Sequence, residues 1–119
     1  MSQEHNCPCL EHCALQKALG IIGGKWKLPI LCSLSVNGTS RYNELLHNVQ
    51  GISNTMLSMT LRELERDRLV VRREYLEVPI RVEYELSEKS RKLQPILLQL
   101  IQWSMQPDDP LPEGQNSSL

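Results

Sequence analysis

The sequence predicts a small, mainly helical α+β domain within a chain of 119 residues. Between positions 13 and 68, apolar residues recur at spacings of three and four, which is typical of amphipathic helices. Positions 70–86 instead alternate around a proline, which indicates a β-hairpin. The chain has no Phe and only 4% aromatic residues, so we expect an aliphatic core built mainly of Leu, Ile and Val.

Two short helices are predicted in the N-terminal third of the chain. The first covers residues 13–22 and stops at the glycine pair that begins with Gly23. The second covers residues 26–36, and Pro29 falls in its first turn, where a missing N–H costs little. Gly38 follows the end of this helix.

A third and a fourth helix are predicted on either side of a tight turn at Gly51. Thr39 or Ser40 is expected to cap the third helix, and Ser53 to cap the fourth, which runs to about Arg68. The fourth helix carries an apolar core stripe of Leu57, Leu61 and Leu64. Its first turns carry a separate, mostly polar stripe of Asn54, Thr55, Ser58, Met59 and Arg62.

The last predicted elements are the hairpin and a long C-terminal helix. The hairpin turns at Glu77-Val78-Pro79, with one buried face. The helix is capped by Ser87 and reaches about Met105, and Pro95 should kink or break it. Its apolar residues cover roughly 220° of the circumference, more than one packed face needs. The simplest explanation is that a second copy of the chain packs against the remaining apolar surface of this helix.

The expected organisation is one structured domain between two unstructured ends. Residues 1–12 are predicted to be a flexible Cys- and His-rich segment, residues 13–106 the domain with its flanking helices, and residues 107–119 a disordered tail. The sequence has neither the ~18 consecutive apolar residues of a membrane span nor an apolar secretion signal. We therefore expect a cytoplasmic protein without a membrane partner.

The net charge of −1 conceals a gradient along the chain. Residues 25–92 carry 12 Lys and Arg against 9 Asp and Glu, whereas the two ends together are acidic. DNA responds to a local basic patch rather than to the total charge. A mildly acidic chain therefore does not exclude nucleic acid as a partner.

Helix, turn, capped helix and hairpin, in this order, form a winged helix-turn-helix. A capped helix whose exposed first turns are small and polar can enter the major groove, about 12 Å wide, and read base edges. The alternative is a winged-helix protein-interaction module, or a small metal-binding module, without a DNA function. No catalytic constellation and no Gly-rich phosphate loop is present, so neither an enzyme nor a cofactor is expected.

Six sequence blocks in order make the chain recognisable between about residues 13 and 105. They are Cys13, Ile22-Gly23-Gly24-Lys25-Trp26-Lys27, Arg41-Tyr42-Asn43-Glu44-Leu45, Gly51-Ile52-Ser53, Leu61-Arg62-Glu63-Leu64-Glu65 and Glu77-Val78-Pro79-Ile80-Arg81-Val82-Glu83-Tyr84. With these blocks the chain resembles the HxlR family of MarR-like bacterial transcriptional regulators. The resemblance implies a winged helix-turn-helix with additional N- and C-terminal dimerisation helices. It also implies a homodimer, double-stranded DNA with an inverted-repeat operator as the partner, and repression in the cytoplasm.

The resemblance also assigns roles to individual residues. The recognition helix would present Ser53, Asn54, Thr55, Ser58, Met59 and Arg62. Arg41 would contact a phosphate, and the wing would contact the backbone or minor groove through Arg72, Arg73 and Arg81. Thr55 stands where the family commonly has Lys or Arg, and Met59 where it often has Gln or Arg, which puts the operator sequence in doubt.

Structural roles are the alternative for several of these charges. Arg73 is expected to pair with neighbouring Glu residues, and Arg66 or Arg68 to be a solvated helix end. Lys25 and Lys27 precede the second helix, where a positional role near the core is as reasonable as a DNA contact.

The cysteines suggest a redox or electrophile sensor. Cys13 begins a helix, whose dipole favours the reactive thiolate, and some family members sense oxidants or electrophiles at the position that Cys13 matches. Cys7 and Cys9 are candidate disulfide partners. Members that form such a bond often use a cysteine near the C-terminus, and this sequence has none after Cys32. The alternative is that Cys13 serves as a small, half-buried apolar residue.

Two further interpretations of the thiols stay open. Thiolate and imidazole groups are dense enough near the N-terminus to hold Zn or Cu(I), although their spacing is unusual and we predict no native metal site. These groups are His5, Cys7, Cys9, His12 and Cys13. Cys32 lies among apolar residues of the second helix and is predicted to belong to the core.

If the protein responds to a signal, the expected signal is an oxidant or a small-molecule effector.

Overall fold

The computed structural model describes residues 14–111 of the chain. The elements in chain order are α1 (Ala14–Ile22), α2 (Lys27–Asn37), β1 (Ser40–Arg41), α3 (Tyr42–Asn48), α4 (Asn54–Arg66), β2 (Val70–Tyr75), β3 (Arg81–Leu86), α5 (Glu88–Arg91) and α6 (Gln94–Ser104). The three strands form one antiparallel sheet in the order β1-β3-β2. The predicted α+β class and the element order of a winged helix-turn-helix are confirmed.

An aliphatic core joins α2, α3 and α4 to the base of the hairpin. Its largest fully enclosed side chains are Ile30, Leu31, Leu45, Leu57, Leu61 and Leu64. Three of them are the predicted core stripe of α4, because residues at these spacings share one helix face. The hairpin adds Val70 and Leu86, which lie opposite each other in the β2–β3 register and are both buried. The hydrophobic core therefore contacts α4 along one face of the helix.

The turn between α3 and α4 has the predicted chemistry. Gly51 has a φ of +86°, a left-handed conformation that glycine adopts without a steric cost. Ser53 is the N-cap of α4, and its Oγ accepts a hydrogen bond from the Met56 N–H at 3.1 Å. The helix ends at Arg66 rather than at Arg68.

The predicted cap of the third helix is wrong. Ser40 belongs to the short strand β1, where it pairs with Tyr84, and its hydroxyl donates to the Gly38 carbonyl at 2.9 Å. Arg41 holds the N-cap position, and its N–H donates to the Glu44 carboxylate at 2.7 Å. The Glu44 side chain thus satisfies the Arg41 N–H at the start of α3. Because Ser40 and Arg41 pair with β3, the helix begins only at Tyr42.

The C-terminal helix is broken, as the proline predicts, but into two separate helices. Ser87 caps α5, with its Oγ accepting from the Ser90 N–H at 3.2 Å. The chain turns at Lys92–Leu93, and Pro95 lies in the first turn of α6. Proline fits there because it lacks an N–H to donate to the preceding turn. Gln94 anchors the start of α6 to α2 by donating to the Ser35 hydroxyl at 2.7 Å.

Within residues 14–111, no single helix is long and apolar enough to span a membrane. Only α1 and α2 taken together pass such a test, and they meet at an angle of 72°. Residues 107–111 contain neither helix nor strand. The predicted segment 1–12 and most of the predicted tail lie outside the described residues, so the domain boundaries stay a prediction.

Candidate nucleic-acid interface

The outermost line of α4 consists of Thr55, Met59 and Arg62. At 3.6 residues per turn these three positions lie within roughly 60° of one another, on the side opposite the buried Leu57 and Leu61. All three are exposed, and Met59 keeps 50% of its surface. Arg62 forms no ion pair with any other residue of the described part of the chain. This line can therefore approach a ligand without obstruction.

Asn54 and Ser58, the other members of the predicted stripe, are engaged within the protein. The Tyr42 hydroxyl of α3 lies 2.9 Å from the Asn54 carbonyl and 3.1 Å from its Oδ1. It also lies 3.0 Å from the Ser58 Oγ, and Ser58 is half-buried. The stripe predicted from the sequence is thus split into an outer line and a flank that is bonded to α3. Tyr42 fixes the angle between the two helices.

Two further predicted contacts lie at the N-terminal ends of α3 and α4. The Ser53 hydroxyl accepts the α4 capping hydrogen bond. Arg41 uses its main chain in the capping of α3, while its side chain is exposed and forms no ion pair within residues 14–111. A phosphate near this helix–turn–helix would meet the Arg41 guanidinium without displacing a carboxylate.

The three wing arginines are each paired with a glutamate of the hairpin. Arg73 Nη2 lies 2.9 Å from Glu85 Oε2, and Arg72 Nη2 lies 3.6 Å from Glu74 Oε2. The expected pairing of Arg73 is confirmed. These neighbours make the wing a weaker phosphate contact than its arginine content suggests.

Arg81 is the most enclosed of the three. It lies 3.0 Å from Glu77 and 3.2 Å from Glu83, and its guanidinium stacks 4.1 Å from the centre of the Tyr75 ring. Only 28% of its side chain is exposed. Arg81 therefore holds the two strands together at the tip, and its predicted DNA contact would require breaking two ion pairs.

The charge pair on β2 and β3 also shifts protonation. A hydrogen bond from Arg73 holds the pKa of Glu85 below its ordinary value, and Thr39 adds a weaker bond at 3.4 Å. The same carboxylate raises the pKa of Arg73. This corner of the wing stays charged at neutral pH and contributes to the hairpin rather than to a free basic surface.

A cleft of about 460 Å³ separates α4 from the base of the wing. It is lined by Tyr42, Ser58, Leu61, Arg62, Glu65, Arg72 and Tyr84. Two arginines and one glutamate face it, so it is polar, open and basic on balance. The cleft extends the exposed face of α4 towards the wing.

A half-buried lysine connects α1 to α4. Lys27 Nζ donates to the Ile21 carbonyl at 3.0 Å and lies 3.8 Å from the Glu63 carboxylate of α4. Only 13% of the Lys27 side chain is exposed. The positional role considered for this lysine is what the structure shows. Lys25 stacks on the Trp26 ring at 4.9 Å instead.

Two terminal helices expose large apolar side chains. On α6 and just after it these are Ile96, Leu98, Leu100, Ile101, Trp103 and Met105; on α1 they are Leu15 and Leu19. Neither helix has a fully buried residue. The predicted surplus of apolar surface on the last helix is present.

The predicted thiol chemistry lies mostly outside the described residues, since Cys7, Cys9 and Cys13 all precede Ala14. Cys32 is a free, half-buried thiol of α2 rather than a fully enclosed core residue. Among residues 14–111, no group of three His, Cys, Asp or Glu side chains could hold a metal ion.

Sequence reasoning missed two features of this surface. It placed Tyr42 on the apolar side of α3 and did not foresee its hydroxyl contacts with α4; a tyrosine at a position where Leu would serve was the available signal. The sequence pattern also did not predict the apolar surface of the wing tip, where Leu76, Val78 and Ile80 are all exposed.

Comparison with known proteins identifies the class to which this surface belongs. Residues 21–110 match the family described as HxlR-like helix-turn-helix. The chain belongs to this family. YybR of Bacillus subtilis (strain 168), described as an uncharacterized HTH-type transcriptional regulator, is 40% identical over 120 residues, covering 100% of this chain and 95% of YybR.

Two solved structures extend the comparison. The redox regulator HypR in its oxidized form is 42% identical, with a TM-score of 0.70 over 82% of this chain and 100% of that one. The reduced transcriptional regulator YodB from B. subtilis is 29% identical, with a TM-score of 0.71 over 84% and 100%. This HxlR-like protein is thus a winged helix-turn-helix transcriptional regulator, not an enzyme, and it is a DNA-binding protein by class.

Proposed function

We propose that this HxlR-like protein is a homodimeric repressor that acts in the cytoplasm on an inverted-repeat operator. The observation that carries the proposal is the outer line of α4, exposed and uncovered, in a chain whose terminal helices leave their apolar sides open. Each subunit would place α4 in a major groove, with the two helices about one turn of DNA (roughly 34 Å) apart.

The apolar residues of α6 support the dimer. Trp103 keeps 69% of its surface and Leu98 56%, although large side chains of this kind are normally removed from water. Contiguous exposed apolar surface marks an interaction site. A second copy of the chain would remove the apolar surface of both subunits from water in one symmetric contact. A symmetric dimer is the commonest arrangement of soluble oligomers.

The charges favour phosphate contacts from the helix-turn-helix rather than from the wing. Arg62 and Arg41 have no carboxylate partner within residues 14–111, whereas the wing arginines are paired. Binding by Arg62 and Arg41 therefore releases counterions without a competing cost inside the protein. We assign the phosphate contacts to these two residues, the base contacts to Thr55 and Met59 of the outer line, and a supporting role to Arg72, Arg73 and Arg81.

The test is the salt dependence of DNA affinity. A duplex is first selected from a random pool with the full chain. The affinity for this duplex is then measured by fluorescence anisotropy between roughly 50 and 200 mM salt. Arg62→Gln should lower the slope of log K against log salt by about 0.9 per subunit. Lys92→Gln removes the same charge from an exposed position next to α5 and should leave the slope unchanged. Equal slopes for both variants would contradict the assignment.

We further propose that an oxidant or electrophile controls DNA binding through Cys13. HypR, a redox regulator, shares 42% identity with this chain, and Cys13 directly precedes α1. In a disulfide with Cys7 or Cys9, two thiols would lose two electrons and two protons to the oxidant. Lys27 links the end of α1 to α4, so a displaced α1 has a direct route to the DNA-binding helix.

This switch is tested by measuring affinity for the selected duplex before and after diamide. The response should disappear in Cys13→Ser and persist in Cys32→Ser, which removes a described, half-buried thiol of α2. A Cys13→Ser protein that responds like the parent would show that another thiol is the sensor.

A further inference from the structure

We infer that α4 reads thymine methyl groups, using Met59 and the methyl group of Thr55. The inference rests on the proposed DNA-binding role of α4 and specifies the bases at its centre.

The foremost positions on the first two turns are Thr55 and Met59. They are four residues apart and therefore lie one above the other on the same side of the helix. Both are exposed and neither packs against the core. Residues near the N-terminus of a recognition helix are those that meet base edges, so this pair would enter the groove first.

The polar side chains nearest to this pair are already bonded. Ser58 and Asn54 contact the Tyr42 hydroxyl at 3.0 Å and 3.1 Å, and the Ser53 hydroxyl caps the helix. Using the Ser58 or Ser53 hydroxyl or the Asn54 Oδ1 to read bases would mean exchanging an internal hydrogen bond for one with DNA, and the Asn54 amide group lies on the flank towards α3 rather than at the front of the helix. The leading edge of the first two turns is therefore largely apolar, formed by the Met59 side chain and the Thr55 methyl group, with the Thr55 hydroxyl beside them.

In the major groove only one group suits such an edge. Thymine carries a C5 methyl, which contacts apolar side chains, whereas the other base edges present mainly donors and acceptors. The Met59 thioether is long, flexible and polarizable, so it can follow the methyl groups of adjacent steps. Arg62, one turn later, would lie over the flanking phosphate. Each half-site would thus contain one or two thymines under the start of α4.

Deoxyuridine provides the test, because it differs from thymidine only by this methyl group. In the duplex selected from a random pool, each thymine is replaced in turn by deoxyuridine and the affinity of the full chain is measured. At one or two positions per half-site the affinity should fall about fourfold, the value of one buried methyl group. The Met59→Ala protein should show little or no fall at the position that Met59 contacts.

The matched control is Met56→Ala. Met56 is also exposed on α4 but borders the α1–α2 loop, on the flank away from Tyr42. The Met56→Ala protein loses the same kind of side chain as Met59→Ala but should keep the full sensitivity to deoxyuridine. If no position responds to deoxyuridine, or if Met59→Ala keeps every response, the inference is wrong while the DNA-binding role stands. If no duplex is enriched from the pool at all, the proposed function itself fails.

Discussion

The hydroxyl of Tyr42 should hold the two helices of the helix-turn-helix together, and Tyr42→Phe tests this without disturbing the ring. The hydroxyl has three oxygen neighbours at 2.9–3.1 Å, on Asn54 and Ser58. With a single proton it donates once, to Asn54, and can accept once, from Ser58. Two hydrogen bonds at about 0.5–1.5 kcal/mol each set an upper limit of about 3 kcal/mol.

The expected loss is smaller because water can replace part of what is removed. Asn54 is exposed and Ser58 only half-buried, so neither is left as an unsatisfied buried group. We expect Tyr42→Phe to lower the free energy of unfolding by about 1 kcal/mol, or Tm by about 4 °C. Urea unfolding followed by circular dichroism measures this, at one protein concentration, since a dimer makes stability concentration-dependent.

A double-mutant cycle assigns the loss to the contact itself. Ser58→Ala alone should cost a similar amount, and the double variant should cost less than the two together by about 0.5–1 kcal/mol. Tyr75→Phe is the control, because that tyrosine hydroxyl has no hydrogen-bond partner within residues 14–111, and it should change stability by less than about 0.5 kcal/mol. Additivity of Tyr42→Phe and Ser58→Ala within about 0.3 kcal/mol would refute the coupling.

Three other predictions concern the dimer, the wing and the α1–α4 link. Leu100→Arg on α6 should give a monomer in analytical ultracentrifugation, whereas the same change at the exposed wing residue Leu76 should leave the dimer intact. The pKa of Glu85 is lowered in the folded state from an ordinary 4.5, so the ionised Glu85 stabilises the fold above about that pH and loses this effect as pH falls further. Glu85→Gln should therefore be less stable than the parent at pH 7. Urea titrations should show that this difference in unfolding free energy shrinks on acidification. Lys27→Met should cost about 1 kcal/mol and speed amide exchange in the last turn of α1, unlike Lys25→Met; equal exchange in both would contradict the link.

Much of the fold could be predicted from the sequence because its signals are local. Leu57, Leu61 and Leu64 recur with the period of one helix face, and Ser53, whose hydroxyl caps the helix, directly precedes the first residue of α4. Pro95 marks the break before α6 for an equally local reason, its missing N–H. The order of these elements was enough to indicate a winged helix-turn-helix.

The errors came from partners that are distant along the chain. Ser40 has the side chain of a helix cap, yet its main chain pairs with Tyr84, 44 positions later, and the strand moves the helix start to Tyr42. The wing arginines read as basic surface, but strand register brings Glu85 opposite Val71 and within reach of Arg73.

The recognition face shows the same division. Its five residues were identifiable from helical spacing, since every side chain on one face of α4 follows from a period of 3.6. Which of them are free could be decided only when α3 was packed beside α4, because the Tyr42 hydroxyl then engages Ser58 and Asn54 and leaves Thr55 and Met59 foremost. Chain periodicity specifies the side of a helix that faces outward; the neighbouring helix determines which groups on that side remain available to a ligand.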